Sequence, residues 1–156
     1  MRVSGGGSLG DMTEMTSGSV IIDAPHAKVE ELLFDISSYP TWSATIKSVE
    51  VLQRDGSNKV TSAKLLVDAG MMKDRVTLEY DWTQAPKRLS FSMTDADLLT
   101  AMEGVYIISE VDEDTTEVTY QLHVDISMPI PAMMRQKAEK ATIDASLSQL
   151  KSRAEE

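Results

Sequence analysis

The chain has 156 residues, 42% of them hydrophobic and 26% charged, proportions that suit one domain able to bury a core. Fifteen basic against 25 acidic residues leave a net charge of −10, which opposes nucleic acid as a partner and electrostatic docking on anionic membranes. Without cysteine there is no disulfide framework, thiol nucleophile or cysteine-ligated zinc, and no apolar run has the length of a membrane span or a signal-peptide core. A cytoplasmic protein with no stable membrane insertion is expected.

Residues 1–16 read as a disordered tail, because four of the eight glycines fall in the first ten positions and nothing there is periodic. A domain over 17–155 follows. "SGSVIIDA" is a short β-rich run. "PHAKVEELLFDI" opens with a proline at a first-turn position and spaces Val29, Leu32, Leu33 and Ile36 as one helical face. Pro40, in "SSYPTW", is expected to separate this helix from a short helical turn over 40–44.

Six strands come next: "IKSVEVLQ", "KVTSAKLLVDA", "DRVTLEYDWT", "RLSFSMT", "LLTAMEGVYIISEV" and "EVTYQLHVDIS". Their period-two alternation and short turns predict antiparallel hairpins with one buried face. By that alternation Val76, Leu78, Tyr80 and Trp82 share the inner face, as do Leu89, Phe91 and Met93, and Val118, Tyr120, Leu122 and Val124. The segment from Met128 to the end has prolines only at its start and reads as one long helix. Met134, Ala138, Ala141 and Ala145 form a small-residue stripe on it, and Ile143, Leu147 and Leu150 a second, predicting contact on two sides.

This order predicts an α+β helix-grip fold, β-α-α-β6-α, with a curved seven-stranded antiparallel sheet wrapped on the C-terminal helix. "SVIIDAPHAKVEELLFDISSYPTWSATIKSVEVL", "LEYDW" and "TEVTYQLHVDISMPIPAMM" leading into "LSQLKSRAEE" carry a resemblance to the START-like (SRPBCC) superfamily, in its bacterial polyketide cyclase/dehydrase and lipid-transport branch. The resemblance implies an apolar ligand cavity between sheet and helix. It does not choose the ligand, since one fold hosts many functions.

The residues add their own argument for a cavity. In a meander, alternate turns share one end of the sheet. The seven methionines beyond the tail (71, 72, 93, 102, 128, 133 and 134) all flank the connections of one end, as does Trp42. Methionine is flexible and recurs at surfaces that accept varied apolar shapes. A mouth is therefore expected there, with Trp42, Met72, Tyr80, Trp82, Phe91, Met93, Met102, Tyr106, Tyr120, Met134, Ala138 and Ala141 as ligand-binding candidates and the alanines leaving room under the helix. Thr100 is a further inner-face candidate. Arg135, Lys137 and Lys140 are read as solvated, and His123 as facing away from the grip with Asp125.

The inner face thus shows phenols but no carboxylate, arginine or histidine. No catalytic residue, metal site or cofactor is expected. The expected function is binding, transport or chaperoning of a hydrophobic small molecule such as a lipid, isoprenoid quinone or polyketide, by a monomer or homodimer. The alternatives are a polyketide cyclase/dehydratase, whose family places a few polar residues in the pocket, and a protein-interaction module.

Overall fold

The structure, a computed structural model, describes residues 15–69 and 73–156. The elements in chain order are β1 (Thr16–Ile22), α1 (His26–Phe34), a 3-10 helix (Ile36–Thr41), β2 (Ile46–Arg54), β3 (Val60–Asp68), β4 (Lys73–Asp81), β5 (Arg88–Ala96), β6 (Leu99–Asp112), β7 (Thr115–Ile126) and α2 (Ala132–Ala154). The expected tail lies outside the described residues, except for Met15 and Thr16, and Thr16 opens β1.

All seven strands form one antiparallel sheet in the order β1-β7-β6-β5-β4-β3-β2. Consecutive hairpins build it from β2 to β7, and β1 adds at the far edge with Thr16 opposite Leu122. The strands alternate as read: β4 buries Asp74, Val76, Leu78 and Tyr80 and exposes the residues between, with Thr77 half-buried. Register shifts in the β2–β3, β4–β5 and β6–β7 pairs bend the strands, and the bent sheet curls over its apolar face.

Asp35, rather than Pro40, separates the two N-terminal helices. Its backbone leaves the helical region, with φ −91° and ψ 78°, and its carboxylate accepts the hydroxyls of Ser37 and Ser38 at 3.0 and 2.5 Å. Pro40 sits inside the 3-10 helix, which begins earlier than the turn expected over 40–44. A serine-rich segment after an aspartate offers the chain a capped turn before proline is reached.

Helix α2 packs on β1 and β7 and touches α1. Its buried residues are Glu139, Thr142, Ile143, Ser146, Leu147, Leu150 and Ala154, one face at helical spacing rather than two apolar stripes. Ala141 lies on the exposed side, and Ala138 and Ala145 flank the buried face. The helix comes so close to β1 that a Cβ on Gly18 would stand 2.7 Å from Cγ2 of Ile143. Ile143 is fully buried and has no free space to yield.

The C-terminal half of α2 is tied down. Gln149 accepts the backbone N–H of Ala44, Arg153 donates to the carbonyl of Thr41, Lys151 to that of Ile21, and Glu155 accepts the N–H of Asp23. The first turn, by contrast, carries Met133 and Met134 at 78% and 50% exposure.

If the Gly18 contact sets the height of the helix, Gly18→Val lowers unfolding free energy by about 1–3 kcal/mol through overpacking. Gly18→Ala combined with Ile143→Ala costs less than the sum of the two single changes in urea denaturation, because the second removes the Cγ2 methyl that the first would strike. Strict additivity would show that the two residues do not compete for the same space.

Candidate functional site

Two spaces lie between sheet and helix. The inner one is a chamber of about 30 Å³ enclosed by residues from the 3-10 helix, the sheet and α2. Six of the expected residues line it: Trp42, Tyr80, Phe91, Met102, Tyr106 and Tyr120. The outer one is a groove of about 390 Å³ at the sheet end where the methionines were expected to gather. The start of β4, the β5–β6 turn, the end of β7 and the first turns of α2 line it, with Met134 and Ala138 among the expected residues. Groove and chamber draw on the same elements without sharing a lining residue: Leu99 and Met102 on β6, Val124 and Tyr120 on β7, Ala138 and Thr142 on α2.

Aromatic packing fills most of the interior. Tyr106 and Tyr120 stack with centroids 4.1 Å apart, and Phe91 lies between Tyr80 and Tyr120 at 6.1 and 6.4 Å. Phe91 covers Gly104, where a Cβ would stand 2.6 Å from its ring, so the missing side chain admits the aromatic. Tyr39 meets Trp42 edge-on at 5.2 Å and donates its hydroxyl to the carbonyl of Leu33 at 2.6 Å.

The polar atoms of the chamber are hydroxyls. Ser43 and Thr45 pair at 3.0 Å, and Thr142 donates to the carbonyl of Ala138 at 3.0 Å. Burial pushes the phenol of Tyr106 up, against the pull of the Tyr120 and Ser146 hydroxyls. Burial also drives Tyr39, Tyr80 and Tyr120 upward, and the neighbouring phenol of Tyr106 adds to it in each case. These groups are therefore neutral donors at physiological pH, not bases. The indole N–H of Trp42 is wholly buried and has no hydrogen-bond partner among the described residues.

Three expected site residues among those described line neither space. Trp82 is at the opposite end of the sheet: its N–H donates to the carbonyl of Val60 at 2.7 Å, Phe34 packs edge-on at 5.3 Å, and the Lys59 ammonium lies 4.8 Å over the ring. It shares the parity of Tyr80, but the strand ends at Asp81, before the grip reaches it. Ala141 faces solvent because the helix turns its Glu139–Ile143–Ser146 face inward. Met93 packs against the core outside both spaces. Met72 falls outside the described residues. Thr100, also expected inside, is exposed.

Two buried carboxylates were not anticipated. Asp74 accepts the backbone N–H groups of Asp97, Leu98 and Leu99 at 3.2, 3.0 and 2.8 Å, so one side chain holds the β5–β6 turn that walls the groove. Its even-numbered place on β4 is the readable signal.

Glu139 is fully buried on α2. It accepts the N–H of Val124 at 2.8 Å and the hydroxyl of Thr16, and pairs with Arg135 at 3.3 Å. Arg135 in turn reaches Nδ1 of His123 at 3.0 Å, so it is a largely buried strut and not the solvated cation expected. His123 stands on the outer side of β7 as read, yet the helix wraps the strand edge to meet it. Extending the Ile143–Leu147 spacing back by four positions twice gives Glu139 and Arg135.

Among the described residues no group of three or more His, Cys, Asp or Glu could hold a metal, and no helix is long and apolar enough to cross a membrane.

A family model described as polyketide cyclase/dehydrase and lipid transport matches residues 13–155. No curated protein matches the sequence. Among solved structures, a START superfamily protein of Mycobacterium smegmatis superposes with a TM-score of 0.85 at 22% identity, over 90% of this chain and 97% of that one. The Zhui aromatase/cyclase of Streptomyces sp. R1128 gives 0.72 at 18% identity, over 90% and 93%. The di-domain aromatase/cyclase BexL of the BE-7585A pathway gives 0.70 at 18% identity, over 88% of this chain and 45% of that one. At these identities the likeness is one of fold.

Two outcomes follow from the buried groups. Glu139→Ala leaves Arg135 and the Val124 N–H uncompensated and costs about 3–5 kcal/mol in urea denaturation, while Glu139→Gln costs less; a loss below about 1 kcal/mol for the alanine variant would contradict a structural role. All four tyrosines are buried, with pKa raised. In the unfolded chain phenols ionise near pH ~10. The fold therefore holds protons that the unfolded chain gives up, and this stability, complete below that pH, is lost as pH rises above it. Tyrosinate absorbance is expected to appear only together with alkaline unfolding; a phenol titrating in the folded protein near its ordinary value would refute this.

Proposed function

The chain belongs to the polyketide cyclase/dehydrase and lipid transport family, and from that premise we propose that it binds a hydrophobic small molecule such as a lipid, isoprenoid quinone or polyketide between the sheet and α2. The observation that carries this reading is an open apolar groove at one end of the grip, with a small donor-lined chamber on the same strands and helix. Leu98, Met128 and Ile130 line the groove with Met134 and are substantially exposed, at 65, 67, 36 and 50%. Leaving such side chains wet forgoes about 1.5–3 kcal/mol each if fully covered. The volume of about 390 Å³ lies within the range of small-molecule sites.

The ligand's apolar body lies in the groove, where leaving water drives binding, and its polar end points to the phenols and Trp42. The tied C-terminal half and exposed first turn of α2 support a gate at Pro129–Met134. Met102, nearly buried at 6% exposure, is the flexible side chain of the chamber lining.

A second reading is turnover of a polyketide-like substrate. The stacked Tyr106–Tyr120 pair beside Ser146 favours it as a set of neutral donors that could polarise a carbonyl. The chamber lining contains no histidine or carboxylate to abstract a proton, which ranks binding first.

Leu98→Asp and Met134→Asp each place a charge on the groove wall at an exposed position. Each is expected to weaken binding of an apolar fluorescent dye by tenfold or more while leaving the urea midpoint unchanged. Native mass spectrometry and solvent extraction of the purified protein are expected to find co-purified apolar material. Only apo mass, with dye affinity indifferent to both substitutions, would defeat the binding reading. Tyr106→Phe separates the second reading: it abolishes turnover with binding retained.

A further inference from the structure

We propose that the ligand's polar end is a neutral hydrogen-bond acceptor, a ketone, quinone or ether oxygen, received by the indole N–H of Trp42, and that carboxylate- and phosphate-ended lipids are refused. This rests on the binding reading above and adds its chemical selectivity.

The first support is the donor itself. The Nε1 of Trp42 is the one wholly buried side-chain nitrogen or oxygen without a hydrogen-bond partner among the described residues. A buried donor left unpaired is costly, and native folds rarely tolerate one without a function. No neighbouring hydroxyl or carbonyl among the described residues accepts it.

The second support is charge. Among the residues lining the chamber there is no lysine, arginine or histidine. Lys73 and Arg135 line the groove instead, and Arg135 is already engaged with Glu139. A carboxylate or phosphate brought into the chamber would lose its water and meet only neutral donors, the indole N–H and hydroxyls, with no cation to pair with, an arrangement that disfavours the anion. Desolvation raises all four phenols, the behaviour of a medium that resists negative charge.

The third support is size. About 30 Å³ is room for a water-sized group and too little for an apolar body, so the chamber takes the polar end while the body stays outside. The same size suits a lone trapped water, which the experiment must separate from a ligand oxygen.

Three probes with one apolar skeleton make the test: acetylnaphthalene, ethylnaphthalene and naphthoate, titrated into nitrogen-15-labelled full-length protein. The two tryptophans give two indole N–H resonances, and Trp42→Phe identifies the one that disappears. Acetylnaphthalene is expected to bind about tenfold more tightly than ethylnaphthalene, the worth of one neutral hydrogen bond. Naphthoate is expected to bind at least tenfold more weakly than either, and only the ketone should move the Trp42 resonance downfield. In Trp42→Phe the advantage of the ketone vanishes while ethylnaphthalene affinity survives.

Naphthoate binding as tightly as the ketone overturns the proposal, as does a ketone preference that persists without the indole. Equal affinity for ketone and hydrocarbon with an unmoved indole resonance also overturns it and assigns the donor to a water. If the hydrocarbon binds but the ketone gains nothing, only the selectivity is wrong. If neither binds, the binding reading falls and takes the selectivity with it. Should Trp42→Phe not fold, the indole resonance of the unaltered protein decides.

Discussion

The distance between α2 and β1 governs the rest of the molecule. Gly18 lets Ile143 press against the strand backbone, and this contact sets how deep the helix sits in the curl of the sheet. From that depth follow the inward face of Glu139, Thr142 and Ser146, the exposure of Ala141 and the small volume left among the aromatics. One missing methyl group on an edge strand thus fixes the geometry at the centre.

Magnitudes explain why the interior is nearly full while the mouth is open. A dry void of about 200 Å³ at ~24 cal/mol per Å³ would cost about 5 kcal/mol, as much as the whole stability of a marginal domain. A void near 30 Å³ costs under about 1 kcal/mol on the same scale. The larger space is a groove open to water and avoids the penalty of a dry cavity. Phe91 lying over Gly104 shows the means: rings from neighbouring strands, rather than bulk on every strand, occupy the grip.

Strand parity was the most readable feature of the sequence. Tyr80, Tyr106, Tyr120, Phe91 and Met102 reach the chamber because period two admits only one inward set. The same parity misleads at Trp82, because alternation says which face a residue takes but not how far along the strand the ligand space extends. The helix was harder to read. Counting only apolar positions hid the polar half of the buried face, since Glu139 and Thr142 look like surface residues until a strand edge supplies their partners. Those partners, Val124 and Thr16 for Glu139, are remote in sequence and near only in the fold. Asp35 is harder to read than Pro40, because a proline announces a break by itself, whereas an aspartate needs its serines counted with it.

The bonds that hold α2 are unevenly spread, and that makes the helix a lever. Its ties to Ala44, Thr41, Ile21 and Asp23 gather over the last two turns, and Glu139 adds a strut part-way along. At 1.5 Å per residue the seven residues ahead of Glu139 span about 10 Å, so a tilt of about 15° about that strut carries the first turn about 3 Å. That displacement is close to the width of a methylene chain. A movement confined to the turns ahead of the strut leaves Ile143, Leu147 and Leu150 in place and alters only the groove wall that Met134 and Ala138 provide.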